Sequence, residues 1–275
     1  MALAMTSLRL RAASLGAGVD STALVLMAAH GEIGPMPDCA FFADTGDEKR
    51  ATYRHLDWLE TVLPFPVYRL RRWPTSLSAS TIAQYRGEPD GRPFTPPFFY
   101  NGGMLPKQCS KEWKTRAVTG EIRRMLGLAP RERGPKDTAV ELWLGISRSE
   151  AHRMKPSEVA WIQHRWPLVD AGLRRPDLVR WLVDHGYPVP PPSACVYCPF
   201  QSPQQMAEIK EGPDDDWERV VTFDHAIRDG GNGTEGPLFI SVERRPIEEV
   251  RFDTTGDLFE STSQFGNECE GMCGT

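Results

Sequence analysis

Ser14-Leu-Gly-Ala-Gly-Val-Asp-Ser-Thr22 is the stretch of sequence that decides the fold. Residues 7–14 before it have a strand-like pattern and residues 20–30 after it an apolar helical one, so the stretch predicts a strand-to-helix loop. Glycines let the backbone approach an anion closely, and free N–H groups at a helix start favour phosphate. A helix cap by Asp20 is the simpler alternative, but it leaves the glycines and the hydroxyl side chains unexplained. The loop therefore predicts a phosphate-binding site.

Strand-like and helix-like segments alternate along most of the chain. The pattern predicts strands at residues 38–43, 66–70 and 139–146, and helices at residues 47–63, 111–126 and 176–185. Such alternation predicts an α/β fold in which about five parallel strands form a doubly wound sheet with helices on both faces.

The composition changes after Tyr187, where a proline-rich run leads into a Cys-x-x-Cys pair. Further helices are predicted at residues 203–211 and 214–229. We therefore predict two units, a nucleotide-binding α/β domain at residues 1–190 and a small cysteine-bearing C-terminal lobe at residues 191–275, packed on it.

The bulk composition argues against several classes of protein. The chain has 275 residues, a formal net charge of −5 and a pI near 5.8, so it has no general positive field for a long nucleic acid. It has no run of about 18 apolar residues and no evident secretory leader, so we expect a cytoplasmic protein with no membrane partner. The six cysteines then indicate metal or redox chemistry rather than a disulfide framework.

The glycine loop differs from two common nucleotide-binding loops. No Gly-Lys-Ser/Thr follows it, so it is not a Walker A loop, and Ser21 stands where a dinucleotide fingerprint has its third glycine. It resembles the PP-loop of the N-type ATP pyrophosphatases, members of the adenine nucleotide alpha hydrolase superfamily, whose pattern is Ser-Gly-Gly-x-Asp-Ser. Leu15-Gly16-Ala17-Gly18 replaces the paired glycines here.

The loop after the second strand carries a further resemblance. Asp44-Thr-Gly-Asp-Glu48, with Tyr53 after it, is similar to the Asp-Thr-Gly-x-Glu…Thr-Tyr segment of the PAPS reductases in that superfamily. Helix capping by Thr45 or Asp47 would also explain the acidic residues. Because ligands gather at the carboxyl ends of strands in open α/β sheets, we expect this loop beside the first one.

A third segment follows the strand predicted at residues 139–146. Gly145-Ile-Ser-Arg-Ser-Glu-Ala-His-Arg153 is similar to the Gly-Ile-Arg-x-x-Glu-Ser-x-x-Arg segment of the same reductases. Ser147 stands where the family has Arg, and Ala151 where it has Ser. The resemblance implies that Arg148 and Arg153 are phosphate clamps, a role to which the guanidinium group is suited.

The resemblance covers residues 10–200 and implies an adenine nucleotide alpha hydrolase-like fold that binds ATP or a sulfonucleotide. Mg²⁺ is expected with ATP, with Asp20 or Asp44 as its ligand. The residues expected to bind the nucleotide are Ser14, Gly16, Gly18, Asp20, Ser21, Thr22, Asp44, Thr45, Gly46, Glu48, Arg148 and Arg153.

Five of the six cysteines are candidates for chemistry, whereas Cys39 lies in an apolar strand and is expected in the core. A Cys-x-x-Cys pair with distant cysteines can hold a [4Fe–4S] cluster or zinc, or act as a redox dithiol. Clusters occur in similar PP-loop enzymes, although Gln108 precedes Cys109, so the double cysteine common in adenylylsulfate reductases is absent. We expect a cluster, with zinc as the alternative, held by Cys109, Cys195, Cys198 and Cys273.

The last cysteines resemble a catalytic tail. Glu268-Cys269-Glu270-Gly271 is similar to the Glu-Cys-Gly tail of PAPS reductases, in which the cysteine attacks sulfur. The resemblance implies that Cys269 is a nucleophile, whereas the alternative is that Cys269 and Cys273 bind the same metal.

None of the six histidines forms a His-x-x-x-His pair, so no histidine metal site is expected. Trp113, in a basic segment, is a candidate for stacking on a base.

These features leave three functions open. In the first, the enzyme adenylates a substrate with ATP, releases pyrophosphate and transfers sulfur, with Asp20, Asp44 and Cys269 in the catalytic site. In the second, it is a thiol-dependent PAPS or APS (phosphoadenylyl-sulfate or adenylyl-sulfate) reductase. In the third, it is a non-catalytic nucleotide-binding protein with structural zinc. Ser147 and the missing double cysteine favour the first function. The sulfur acceptor, a small molecule or a nucleic acid, and a homodimeric state stay open.

Overall fold

The computed structural model describes residues 8–93, 95–231 and 236–252. The strands in this part of the chain are β1 (Leu10–Ser14), β2 (Cys39–Ala43), β3 (Val67–Leu70), β4 (Phe99–Tyr100), β5 (Gly103–Met104), β6 (Val140–Leu144) and β7 (Ile162–Arg165). The α-helices are α1 (Val19–Ala29), α2 (Arg50–Val62), α3 (Leu77–Arg86), α4 (Arg116–Met125), α5 (Pro167–Asp170), α6 (Arg175–Asp184), α7 (Pro203–Glu211) and α8 (Asp216–Ile227). A π-helical turn, Ser110–Thr115, precedes α4, and 3-10 turns lie at Arg148–Arg153 and Ile247–Glu249.

Five strands form one parallel sheet in the order β3-β2-β1-β6-β7. β1 lies at its centre, where Ser14 pairs with Phe41 of β2 on one side and Leu144 of β6 on the other. All five residues of β2 are buried, as expected for a continuous apolar strand covered on both faces. The α/β class and the parallel sheet of five strands are confirmed.

Helices cover both faces of the sheet. Leu24 of α1, Leu56 of α2 and Leu178 of α6 belong to one buried apolar cluster, and Val118 and Ile122 of α4 belong to a second one. α1 is buried from Val19 to Ala28, because it packs between the sheet and α6. Its position fixes the loop from which it starts.

A third apolar cluster joins residues from before and after the predicted domain boundary. Tyr85 of α3 and Phe98 pack with Tyr197, Met206 of α7 and Phe223 of α8. The boundary between residues 190 and 191 stays a prediction. Across the described residues, none of the helices combines the length and apolar character needed to cross a bilayer.

The loop after β6 lies against the start of α1. A Cβ atom on Gly145 would lie 2.6 Å from Cα and 2.7 Å from N of Ser21, both backbone atoms of the first turn of α1. No side chain fits there, so Gly145 is required for the loops after β1 and β6 to meet at the carboxyl edge of the sheet.

Gly145→Ala should destabilise the fold by about 1–3 kcal/mol, because its methyl group overpacks a backbone contact. Gly120→Ala is the matched control, since Gly120 is an exposed residue of α4 and a methyl group added to it would meet open space within 4 Å. That change should stabilise the protein by about 1 kcal/mol. Urea unfolding curves measure both effects, and equal midpoints for wild type and Gly145→Ala would refute the close contact.

Candidate functional site

The glycine loop closes on itself between β1 and α1. The backbone N–H of Gly16 donates to Oγ of Ser21 at 3.2 Å, and Ser21 Oγ lies 3.4 Å from the carbonyl oxygen of Gly18. Ala17 has a φ of 59°, a left-handed conformation that costs a residue with a side chain about 1–2 kcal/mol. Gly18 is the N-cap of α1 and has no side chain to cap its first amide groups. The loop therefore presents an uncapped helix start, which suits an anion.

Two serine hydroxyls at neighbouring strand ends are buried without a partner. Ser14 ends β1 and is 4% exposed, and Ser147 follows β6 and is 0% exposed. Among the described residues, neither Oγ has a hydrogen-bond partner. Because an unsatisfied buried hydroxyl costs about 1–3 kcal/mol, these two groups indicate a site for a ligand that hydrogen-bonds them.

Asp20 connects the glycine loop to two neighbouring segments. Its carboxylate is buried, and Oδ2 accepts from the backbone N–H of Ser147 at 3.0 Å. Nη1 of Arg175, the first residue of α6, lies 3.6 Å from Oδ1. Arg175 brings positive charge to the site, and nothing in its sequence context distinguishes it from other surface arginines.

Asp44 occupies the end of β2 with both carboxylate oxygens engaged. Oδ1 accepts from the backbone N–H of Gly46 and from the Tyr53 hydroxyl, each at 2.7 Å, and Oδ2 accepts from Nε of Arg71 at 2.8 Å. Burial and the hydrogen bond to Asp44 raise the pKa of Tyr53, so its hydroxyl stays a donor. Gly46 has a φ of 81°. This network fixes the loop and holds half-exposed Arg71 at the strand end.

The other half of the same loop faces the cysteines. Oγ1 of Thr45 lies 3.2 Å from Sγ of Cys195, and Glu48 forms a buried ion pair of 3.0 Å with Lys114 from the π-helical turn. The structure therefore brings two of the expected nucleotide-binding residues, Thr45 and Glu48, to the thiols. π-helical turns inside helices are frequent at functional sites.

Three of the expected metal ligands line one pocket. Cys109, Cys195 and Cys198 share it with Lys107 and Lys114, and within the described residues none of the three cysteines is part of a disulfide. Burial, followed by the charge of Glu48, raises the pKa of Cys195 well above its ordinary value. Thiolate is the ligand type of zinc and iron–sulfur sites, and within the described residues the three sulfur atoms do not all lie within 4.8 Å of one another. Cys269 and Cys273 lie outside the described residues.

The Cys-x-x-Cys segment is held against both loops. The Ser193 hydroxyl donates to the carbonyl oxygen of Gly16, and the backbone N–H of Val196 donates to the carbonyl oxygen of Asp47 at 2.8 Å. Cys39 is buried in β2, as expected for a core residue, and burial raises its pKa to about 12.

The arginines of the third segment differ in exposure. Arg153 pairs with Glu150 inside the 3-10 turn and is 10% exposed, whereas Arg148 is exposed. Trp113, the candidate for base stacking, is buried with its ring centroid 4.6 Å from that of Trp73.

His55 supports the glycine loop from α2, and nothing in the sequence pointed to it. Its Nε2 lies 3.0 Å from Oγ1 of Thr22. Burial lowers the pKa of His55 to about 4, so the ring is neutral near pH 7 and serves as a hydrogen-bond partner.

The titration of His55 should make stability fall at acidic pH. The unfolded chain takes up the proton near its ordinary pKa of 6.5 and the folded chain only near 4, so stability is lost as the pH falls between these values. His55→Gln should reduce this loss in urea unfolding measured from about pH 7 to pH 4.5, and the pKa of His164, which burial also lowers, accounts for part of what remains. His152→Gln, at an exposed histidine, should leave it unchanged. An identical pH profile for His55→Gln and wild type would contradict the assignment.

Comparisons with known proteins find similarity in structure and no match in sequence. No family model matches the chain, and no curated protein sequence matches it. The fold is similar to that of phosphoadenylyl-sulfate (PAPS) reductase from Candida auris, solved as a phosphate complex, with 12% sequence identity and a TM-score of 0.42 over 68% of this chain and 78% of that one.

Proposed function

We propose that the carboxyl ends of β1, β2 and β6 bind the phosphates of an adenine nucleotide, in an enzyme of sulfur metabolism. The observation that carries this proposal is the pair of partnerless buried hydroxyls beside the uncapped start of α1, Ser14 at the end of β1 and Ser147 in the loop after the adjacent strand β6. Hydroxyl donors, a glycine-rich turn and a helix start are together the elements of a phosphate site.

The residues around this site have complementary roles in the proposal. Ser14, Ser147 and the amides of residues 17 and 18 donate to phosphate oxygens, and Arg71 and Arg175 offset the charge. Ser21 and Thr22, expected from the sequence to bind the nucleotide, hold the loop and the start of α1 in place through their bonds to Gly16, Gly18 and His55. When Mg²⁺ is bound with ATP it neutralises phosphate charge, and Asp20 is its proposed ligand. Asp44 already accepts three hydrogen bonds from protein donors, so its proposed role is to position Arg71 and the loop.

The reaction we propose is ATP-dependent adenylation with pyrophosphate release and sulfur transfer. Ser147 supports it over sulfonucleotide reduction, because its buried position supplies a hydroxyl where the reductases have an arginine. Cys109, Cys195 and Cys198, with Cys273, are the proposed ligands of a [4Fe–4S] cluster, and Cys269 is the proposed sulfur-carrying nucleophile. A bound cluster would supply a site at which sulfur is held near the nucleotide.

Ser14→Ala and Ser147→Ala should each raise stability and lower nucleotide affinity. Removing a partnerless buried hydroxyl removes a desolvation cost of about 1–3 kcal/mol, so the melting temperature of the nucleotide-free protein should rise. The same change removes a donor to charged phosphate, so ATP should bind about tenfold more weakly in calorimetric titrations.

Ser80→Ala is the matched control for these variants. Ser80 is equally buried, but its hydroxyl donates to the carbonyl oxygen of Asp90 at 3.2 Å. This change should lower the melting temperature and leave ATP affinity unaltered. Wild-type affinity in both site variants would show that the two hydroxyls do not face the nucleotide.

Product analysis distinguishes the three functions. Anaerobically purified protein should release pyrophosphate from ATP and Mg²⁺ when fractionated metabolites or RNA supply the acceptor. Sulfite formed from PAPS or APS with a dithiol would instead identify a reductase. Binding of ATP with neither product, under both conditions, would identify a non-catalytic nucleotide-binding protein.

Cys198→Ala should abolish iron binding, because it removes one of the thiolates proposed to hold the cluster. The wild-type protein, purified without oxygen, should show a broad absorbance near about 400 nm with bound iron and sulfide. Cys39→Ala is the control, since Cys39 lies in β2 and should leave the iron content unchanged. A colourless wild-type protein whose zinc content falls in Cys198→Ala would show that the cysteines hold structural zinc instead of a cluster.

A further inference from the structure

His30 and His185 meet beside Glu32 at the end of the sheet away from the nucleotide site. His30 follows α1 as its C-cap, and His185 follows α6 as its C-cap. One ligand atom from each of these three side chains lies within 4.8 Å of those from the other two. Nε2 of His185 is 3.6 Å from Oε1 of Glu32. Residues far apart in sequence thus form a cluster that local histidine spacing does not reveal.

Hydrogen bonds around the cluster orient its side chains. Nδ1 of His185 lies 2.8 Å from the carbonyl oxygen of Trp181, which can only accept, so Nδ1 carries the proton and Nε2 keeps its lone pair. Trp181 also donates from its indole nitrogen to Oε2 of Glu32 at 2.8 Å, and Nε2 of His30 lies 2.7 Å from the Tyr187 hydroxyl. Outer hydrogen bonds of this kind fix the tautomer and direction of metal ligands.

We propose that His30, Glu32 and His185 bind a divalent transition-metal ion such as Zn²⁺. Imidazole and carboxylate are ligands that Zn²⁺ takes, with bonds of about 2.0–2.2 Å, so adjacent tetrahedral donors lie about 3.4 Å apart. The 3.6 Å between Nε2 of His185 and Oε1 of Glu32 is close to that spacing. All three side chains are exposed, so small rotations bring the donors together and water completes the coordination.

The ion would join α1 and α6 at their C-terminal ends. At their N-terminal ends the two helices are already joined by an ion pair, in which Nη1 of Arg175 lies 3.6 Å from Oδ1 of Asp20. α1 has 11 residues and rises about 1.5 Å per residue, so the metal site lies one helix length from the glycine loop. Binding would hold in place the helix from whose start the nucleotide site is built.

Co²⁺ is the probe that separates this site from the cysteines. Cobalt bound to thiolates gives intense near-ultraviolet charge-transfer absorbance, whereas cobalt bound to imidazole and carboxylate gives visible d–d bands without it. Untagged full-length protein should develop d–d bands during titration with Co²⁺, lose them on addition of Zn²⁺, and melt at a higher temperature with either ion. His185→Gln and Glu32→Gln should each weaken Co²⁺ binding by more than about tenfold.

His225→Gln is the matched control for these variants. His225 and Glu248 form an exposed pair, with Nε2 and Oε2 2.7 Å apart, and are not part of the cluster. This variant should bind Co²⁺ as the wild type does. Unchanged binding by His185→Gln, or a wild-type protein without d–d bands, would show that His185 and Glu32 form an ordinary ion pair. Neither measurement uses a nucleotide, so the result is independent of the proposed function.

Discussion

The contact between the start of α1 and the loop after β6 is the constraint on which the candidate site depends. Asp20 accepts the backbone N–H of Ser147, and Gly145 allows the two backbones to touch at Ser21. Because a buried carboxylate must be compensated by donors or cations, Asp20 requires Ser147 and Arg175 to stay where they are. The same contact brings the hydroxyls of Ser14 and Ser147 to neighbouring strand ends.

The segment from Asp44 to Glu48 links the two halves of the site. Its first residue, Asp44, is fixed by Tyr53 and Arg71 at the end of β2, while Thr45 contacts Cys195 and Glu48 contacts Lys114 beside the cysteine pocket. A five-residue loop with glycine at its centre thus links the proposed phosphate site to the cysteine pocket. The loop is short, largely buried and hydrogen-bonded, so its two ends form one structural unit.

Local pattern was sufficient for four of the five strands of the parallel sheet, but not for β7 or for the partners in the site. β2 is a continuous apolar run and was predicted, whereas β7 reads Ile-Gln-His-Arg at a sheet edge and α3 has many serines and threonines, so neither shows a clear apolar period. The partners of Asp20 lie 127 and 155 residues away in the chain, at Ser147 and Arg175. Such pairings follow from topology, and a single sequence contains no local signal for them.

The buried pair of Glu48 and Lys114 bears on what the thiols can do. Burying two opposite charges seldom stabilises a fold by itself, because both charges lose their hydration. This pair is therefore better explained by its effect on the neighbouring thiol of Cys195. Burial and Glu48 raise the pKa of Cys195, and Lys114 opposes them only in part, which makes a free thiolate unfavourable at this position. A bound metal reverses that balance, because a coordinated thiol is deprotonated outright. Cys195 is therefore better suited to be a metal ligand than a nucleophile.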